Sequence, residues 1–132
     1  MQTVKKFSCG PAFAMTEVRL VCYDNEAEDD IAKMVKKFGR RRPSNGFCYF
    51  KEWEKHIGAG PIYIVVATAS PLHRIFRTLP HEVCHVVGFL AERFNIDSIE
   101  EPAAYVQGYM VEAFQKALMK EYGYEVKRKR EN

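Results

Sequence analysis

The chain has 132 residues, of which 47% are hydrophobic and 28% are charged. This composition is that of an ordinary globular protein, and the length leaves no room for a second hydrophobic core. The formal net charge of +3 is mild. The sequence holds no run of about 18 apolar residues, so we expect no membrane span.

Two basic runs carry much of the positive charge, Arg40–Arg42 and Lys127–Arg130. Runs of this kind usually lie in solvated loops or at frayed ends. We therefore expect one domain over residues 1–123, followed by a frayed basic tail over residues 124–132. Nucleic-acid binding through the two runs is a weaker alternative, and its affinity would fall steeply with salt.

The first half of the chain shows three strand patterns and one helix pattern. Residues 17–23 alternate between apolar and polar, residues 47–53 are rich in aromatic side chains, and residues 62–68 are almost continuously apolar. These segments predict strands, and the second and third are close enough in sequence to form a hairpin. Residues 26–38 carry an i, i+3, i+4, i+7 apolar stripe and predict an amphipathic helix. Residues 1–15 are expected to be irregular.

Helical patterns dominate the second half of the chain. Ser70-Pro71 matches an N-cap followed by proline at the first helical position, so a short helix is expected there. Pro80 disfavours helix at the residue before it. We therefore predict a new helix that starts near residues 78–80 and holds His81 in its first turn. Residues 83–94 are apolar on most sides, as is typical of a buried helix.

A last helix is predicted from Ile99 or Pro102 to Tyr122, and it too is largely apolar. The link at 95–98 is so short that the two helices must pack against each other. The predicted fold class is therefore α+β. We expect a sheet of about three strands with one backing helix, followed by two long helices.

The pentapeptide at 81–85, His-Glu-Val-Cys-His, is the most informative motif in the chain. Residues i and i+4 of a helix lie one above the other on the same face, so His81 and His85 can ligate one metal ion. Glu82 lies about 100° round the helix from His81, where its side chain can reach a metal-bound water without being a ligand. Zinc peptidases use this arrangement. The alternative is a helix that carries two ordinary histidines.

A third metal ligand is needed, because a catalytic zinc usually takes three protein ligands and one water. No histidine follows His85, so we expect a carboxylate at the start of the last helix, where Glu100 and Glu101 lie. Glu101 shares a helical face with Ala104 and Gly108, and these small residues would let the two long helices approach closely. This spacing favours Glu101 over Glu100.

Two alternatives remain open for this carboxylate. Glu101 lies three residues after Ser98, and the two match a capping box, in which the Glu101 carboxylate accepts a hydrogen bond from the Ser98 amide. Asp97 is a further candidate ligand, although its place in the link is more typical of a helix cap.

The pattern H-E-x-x-H, a short link and then E-x-x-A-Y resembles the gluzincin branch of the zinc metallopeptidases. More specifically, it resembles small single-domain zincin-like proteins of phage and prophage origin. The resemblance covers residues 78–115. It implies one zinc per chain on His81, His85 and Glu101. Glu82 would then be the general base.

The same resemblance implies a strand at the sheet edge along which a peptide substrate lies. Here that strand would be 47–53 or 62–68. The family also places a hydrogen-bond donor opposite the metal, where charge develops in the transition state. Tyr105, Tyr109 and His73 are the candidates, and for each of them simple packing is the alternative.

Taken together, these residues predict a zinc-dependent metallopeptidase that hydrolyses a peptide bond of a polypeptide substrate with a metal-activated water. The alternative is a zinc-stabilised binding or regulatory protein that holds a protein partner without turnover. The small size of the chain favours this alternative. Glu82 favours the peptidase, because a purely structural site has no use for a base beside the metal.

The four cysteines show no C-x-x-C spacing, and no secretory signal is visible. We therefore expect reduced thiols in a cytoplasmic protein, in the host cytoplasm if a phage encodes it. Cys22 and Cys48 lie in strand patterns and are expected to be buried small apolar residues. Cys84 adjoins a candidate ligand and is expected to pack on the buried side of its helix.

Overall fold

The computed structural model describes residues 1–39, 44–97 and 100–122. In chain order the elements are β1 (Gln2–Ser8), a 3₁₀ turn (Pro11–Phe13), β2 (Glu17–Tyr23), α1 (Glu28–Phe38), β3 (Gly46–Tyr49), α2 (Lys51–Lys55), β4 (Ile62–Ala67), α3 (Leu72–Arg93) and α4 (Glu101–Tyr122). The predicted α+β class is confirmed. Within the described ranges, no helix is long and apolar enough to cross a membrane.

The strands of the described residues form one mixed sheet in the order β1-β2-β4-β3. β2 and β4 are parallel neighbours at its centre. β1 and β3 are antiparallel to those neighbours and lie at the two edges. The predicted pairing of the second and third strand segments is confirmed, since they are β3 and β4.

Successive side chains of the central strands point to opposite faces of the sheet, so the core has two layers. Leu20 and Cys22 pack with buried residues of α3 and α4. Val21 and Tyr23 point to the other face of the sheet and pack with Met34 of α1. The sheet therefore lies between α1 and the two long helices, and α3 contacts both β3 and β4.

Two of the predicted helices are confirmed as α1 and α4. The first turn of α1 holds three acidic residues, and its last turn holds Lys36 and Lys37, as the helix dipole favours. Gly39 ends the helix in the left-handed conformation, with φ 69°. The predicted basic tail at 124–132 lies outside the described residues.

The prediction that residues 1–15 are irregular is wrong, because they contain β1. Val4 and Phe7 of this strand pack against the core, and its other side chains are exposed. A bulge between Thr3 and Lys5 shifts the register, so the two packed side chains are three positions apart instead of two. The strand therefore lacks the alternation that would have marked it in the sequence.

The predicted strand at 47–53 is confirmed only in its first part. β3 ends at Tyr49, and the short helix α2 begins at Lys51. Trp53 of α2 is 3% exposed, and its indole nitrogen donates a hydrogen bond to the carbonyl oxygen of Gly60 at 2.7 Å. This anchor holds the chain in a helical turn where the aromatic composition alone favoured a strand.

Helix α3 runs without a break from Leu72 to Arg93, with Pro80 inside it. The predicted helix start near residues 78–80 is therefore wrong, and His81 lies in mid-helix instead of a first turn. A proline in a helix interior costs about 3 kcal/mol. Leu79 and Val83 are both 0% exposed, and burying two such side chains stabilises the fold by about 3–6 kcal/mol. Tertiary packing thus offsets the local penalty.

Candidate metal centre

Helix α3 presents His81 and His85 on its exposed side, one turn apart. The Nε2 atoms of the two rings lie 3.1 Å apart. The opposite side of the helix is held in the core by Leu79, Val83 and Val86, each 0% exposed. Since a packed helix has a fixed backbone, the core sets the relative positions of the two histidine backbones, from which both rings extend on the same side.

The spacing of this histidine pair suits a metal ion. Zinc binds histidine nitrogens at about 2.0–2.1 Å in tetrahedral geometry, which places two such nitrogens about 3.3 Å apart. The His81 side chain is 67% exposed, so ions in solution reach it. A hydrogen bond between two neutral rings would give a similar distance, and the metal content of the protein separates the two cases.

Glu82 lies beside the histidine pair, but its side chain points towards the sheet. That side chain is 10% exposed, and its Oε1 lies 3.9 Å from Nε2 of His81. The other oxygen, Oε2, accepts a hydrogen bond from the thiol of Cys48, whose Sγ lies 2.9 Å away. The carboxylate is therefore close enough to exchange a proton with a group held at the histidines.

The edge strand β3 forms one wall of the site, and two clefts open beside Glu82. The first cleft, of about 330 Å³, is lined by Asn45, Gly46, Arg77, Thr78, His81 and Glu82. The second cleft, of about 420 Å³, is lined by Ser44, Gly46, Phe47, Cys48, Phe50, Glu82 and His85. Glu82 lines both clefts, so its carboxylate is shared between them.

Among the described residues, no third metal ligand is brought to the histidine pair. In the ranges that the structure describes, no group of three or more His, Cys, Asp or Glu side chains is placed to hold a metal ion. Glu101 is exposed at the start of α4, and Glu100 and Asp97 are exposed as well. Ser98 of the alternative capping box lies outside the described residues. The ligand role of Glu101 thus stays a prediction.

The helical face that carries Glu101 is exposed to solvent. Ala104 and Gly108 on this face are exposed, and a Cβ built on Gly108 would meet nothing within 4 Å. The argument that small residues here let the two helices approach is therefore wrong. The packed face consists of Ala103, Met110, Phe114 and Leu118, each 0% exposed. Three of these side chains are bulky, and they bury more apolar area than alanine and glycine could.

The three candidate hydrogen-bond donors have exposed side chains. Tyr105 and Tyr109 are 59% and 60% exposed, and their rings stack on each other with centroids 6.2 Å apart. His73 is in the first turn of α3, about 12 Å along the helix axis from His81. Among the described residues, none of the three hydrogen-bonds to Glu82 or to the histidine pair.

The cysteines differ from one another in exposure. Cys22 is buried, as predicted, and burial raises the pKa of its thiol to about 12. Cys84 is exposed, so the prediction that it packs on the buried side of its helix is wrong. Val83 and Val87 occupy that side, and Cys84 lies about 100° away from Val83.

Two residues of the site have no signal in the sequence. Cys48 is partly exposed instead of buried, and its thiol contacts Glu82, 34 positions along the chain. Gly46 lies where β3 meets α3, and a Cβ there would come within 2.6 Å of Thr78 Cγ2. Both contacts join distant segments, so no local pattern marks them.

Comparisons with protein-family models, with curated proteins and with solved structures find no match for this chain.

Proposed function

We propose that this protein is a zinc-dependent metallopeptidase of zincin-like architecture that hydrolyses a peptide bond in a polypeptide. The observation that carries the proposal is the 3.1 Å separation between the Nε2 atoms of His81 and His85 on the exposed side of α3. A largely buried carboxylate beside such a pair, here Glu82, suits proton transfer and has no use in a purely structural zinc site.

His81, His85 and one carboxylate would hold the zinc, and Glu101 is the proposed third ligand. Helices α3 and α4 are packed neighbours, and the Glu101 side chain is exposed. An exposed glutamate can change rotamer without disturbing the core, so the packing of α4 does not fix the direction of this side chain. When bound, zinc would lower the pKa of a water towards about 7 and polarise the scissile carbonyl.

The residues of the chain supply the remaining chemistry. Glu82 accepts the proton of the attacking water and passes it to the leaving amine. Its limited exposure keeps bulk water away from the carboxylate, which strengthens its electrostatic interactions. The clefts on either side of Glu82 would receive the parts of the substrate that flank the scissile bond.

The experiment is elemental analysis followed by a peptidase assay. Wild-type protein should hold about one zinc per chain, and Glu82→Gln should retain that zinc but lose cleavage of a fluorogenic peptide library. His81→Ala should lose both, whereas His56→Ala, at an exposed histidine outside α3, should lose neither. Wild-type levels of zinc in His81→Ala would refute the proposal.

A zinc-stabilised binding protein without turnover is the second candidate. The feature that favours it is the exposed stack of Tyr105 and Tyr109, because exposed aromatic side chains are typical of contact surfaces between proteins. On this alternative, zinc would be retained, no peptide would be cleaved, and Glu82→Gln would leave the biological effect of the protein unchanged.

A further inference from the structure

Cys48 connects the edge strand β3 to the carboxylate of Glu82. Along β3, Phe47 and Tyr49 pack on the α1 side of the sheet, whereas Cys48 packs on the side of α3. Its Sγ lies 2.9 Å from Oε2 of Glu82 and 3.2 Å from the backbone carbonyl oxygen of the same residue. Both oxygens are within hydrogen-bond reach of the thiol, and a hydrogen bond to an ionised oxygen is the stronger kind.

The two oxygens of Glu82 therefore have different surroundings. Oε2 is held by the thiol of Cys48, and Oε1 lies 3.9 Å from Nε2 of His81. In the described part of the chain, Cys48 is the only hydrogen-bond donor to the Glu82 side chain. An ionised carboxylate can only accept hydrogen bonds, so a donor at this position fixes its orientation.

We propose that Cys48 is a positioning residue, whose thiol anchors Oε2 of Glu82 so that Oε1 faces the histidine pair. The meaning of this contact for catalysis rests on the proposed function, whereas the hydrogen bond itself does not. A side chain that only filled space at position 48 would not need a donor. Serine should therefore replace Cys48 better than alanine does, because the hydroxyl also donates.

The first measurement needs no substrate. The protein as purified, with ¹³C-labelled glutamate carboxyl groups, is studied by NMR under reducing conditions, and the Glu82 resonance is assigned by its loss in Glu82→Gln. This resonance should shift in Cys48→Ala and stay near its wild-type position in Cys48→Ser. Cys22→Ala is the matched control, because Cys22 belongs to the same core and makes no hydrogen bond to Glu82.

The second measurement is steady-state kinetics on a fluorogenic peptide cleaved by the wild type. Cys48→Ala should lower kcat about tenfold, as expected when a hydrogen bond to a charged group is lost, with little change in KM. Cys48→Ser should recover most of that loss, and Cys22→Ala should keep the wild-type kcat. Circular dichroism on each variant verifies that the fold is retained.

Two results would overturn the inference. One is a Glu82 resonance that is the same in Cys48→Ala as in wild type, or that shifts equally in Cys22→Ala. The other is a shifted resonance with an unchanged kcat, which would leave a structural contact without a positioning role. If wild type binds zinc but cleaves no peptide, the proposed peptidase fails, and the NMR comparison still decides whether Cys48 holds Glu82.

Discussion

Gly46 of the edge strand lies so close to Thr78 of helix α3 that a Cβ on Gly46 would come within 2.6 Å of Thr78 Cγ2. The same Cβ would lie 3.0 Å from the carbonyl oxygen of Val65 in β4. The strand and the helix can therefore approach this closely only where a residue has no side chain. This contact sets the wall of the site beside Glu82.

Gly46→Ala should lower the free energy of unfolding by about 1–3 kcal/mol, because the added methyl group overpacks the contact between β3 and α3. Chemical denaturation measures this loss. Adding Thr78→Ser removes the Cγ2 methyl and should recover part of the stability, although the clash with Val65 remains. Gly46→Ala with wild-type stability would show that the strand can shift without penalty.

Gly88→Ala and Gly108→Ala should instead stabilise the protein, each by about 0.5–1 kcal/mol. Both glycines lie inside helices, α3 and α4, and a Cβ on either would meet nothing within 4 Å. Alanine then gains helix propensity without a clash. Thermal and chemical denaturation measure the change. A loss of stability in Gly108→Ala would indicate that this side of α4 packs against something after all.

Glu101→Ala should weaken zinc binding far more than Glu100→Ala does, if Glu101 is the third ligand. Zinc affinity, measured by competition with a chelator, and melting temperature are compared for both variants. If Glu101 only caps the helix, its loss should cost about 1 kcal/mol of stability and leave the zinc in place. A large loss of zinc affinity only in Glu100→Ala would identify Glu100 as the third ligand. No loss in either would leave Asp97→Ala to be tested.

Asp30 should contribute to stability at neutral pH and lose that contribution in acid. The backbone N–H of Asp24 donates a hydrogen bond to the Asp30 carboxylate, and the amine of Met1 lies against the same carboxylate. These two contacts hold the pKa of Asp30 below its usual range. A carboxylate whose pKa is lowered in the folded state stabilises the fold at pH values above its unfolded pKa of about 3.9. That stabilisation disappears as the pH falls through the folded pKa.

Asp30→Asn should therefore melt below wild type at pH 7, and the difference should shrink at low pH. Asp29→Asn is the control, because Asp29 is an exposed acid in the same first turn of α1 and shares the interaction with the helix dipole. Equal melting temperatures for wild type and Asp30→Asn at pH 7 would contradict this account.

The sequence determined the elements whose signals are local. The apolar stripe, acidic first turn and final glycine of α1 all lie within a few residues of one another, as do the apolar runs that form β2 and β4. The pairing of His81 with His85 is also a local property, because any helix that contains this spacing brings the two rings together.

The tertiary structure decided what depends on contacts between distant segments. Helix α3 continues through Pro80 because Leu79 and Val83 are buried against the rest of the core. The bulky residues of α4, and not its small ones, decide which face of the helix is packed. The surroundings of Glu101 therefore did not follow from its spacing to Ala104 and Gly108. Cys48 meets Glu82 only because β3 and α3 pack together. Local patterns report the conformation of one segment, whereas the burial that places two segments side by side is a property of the whole fold.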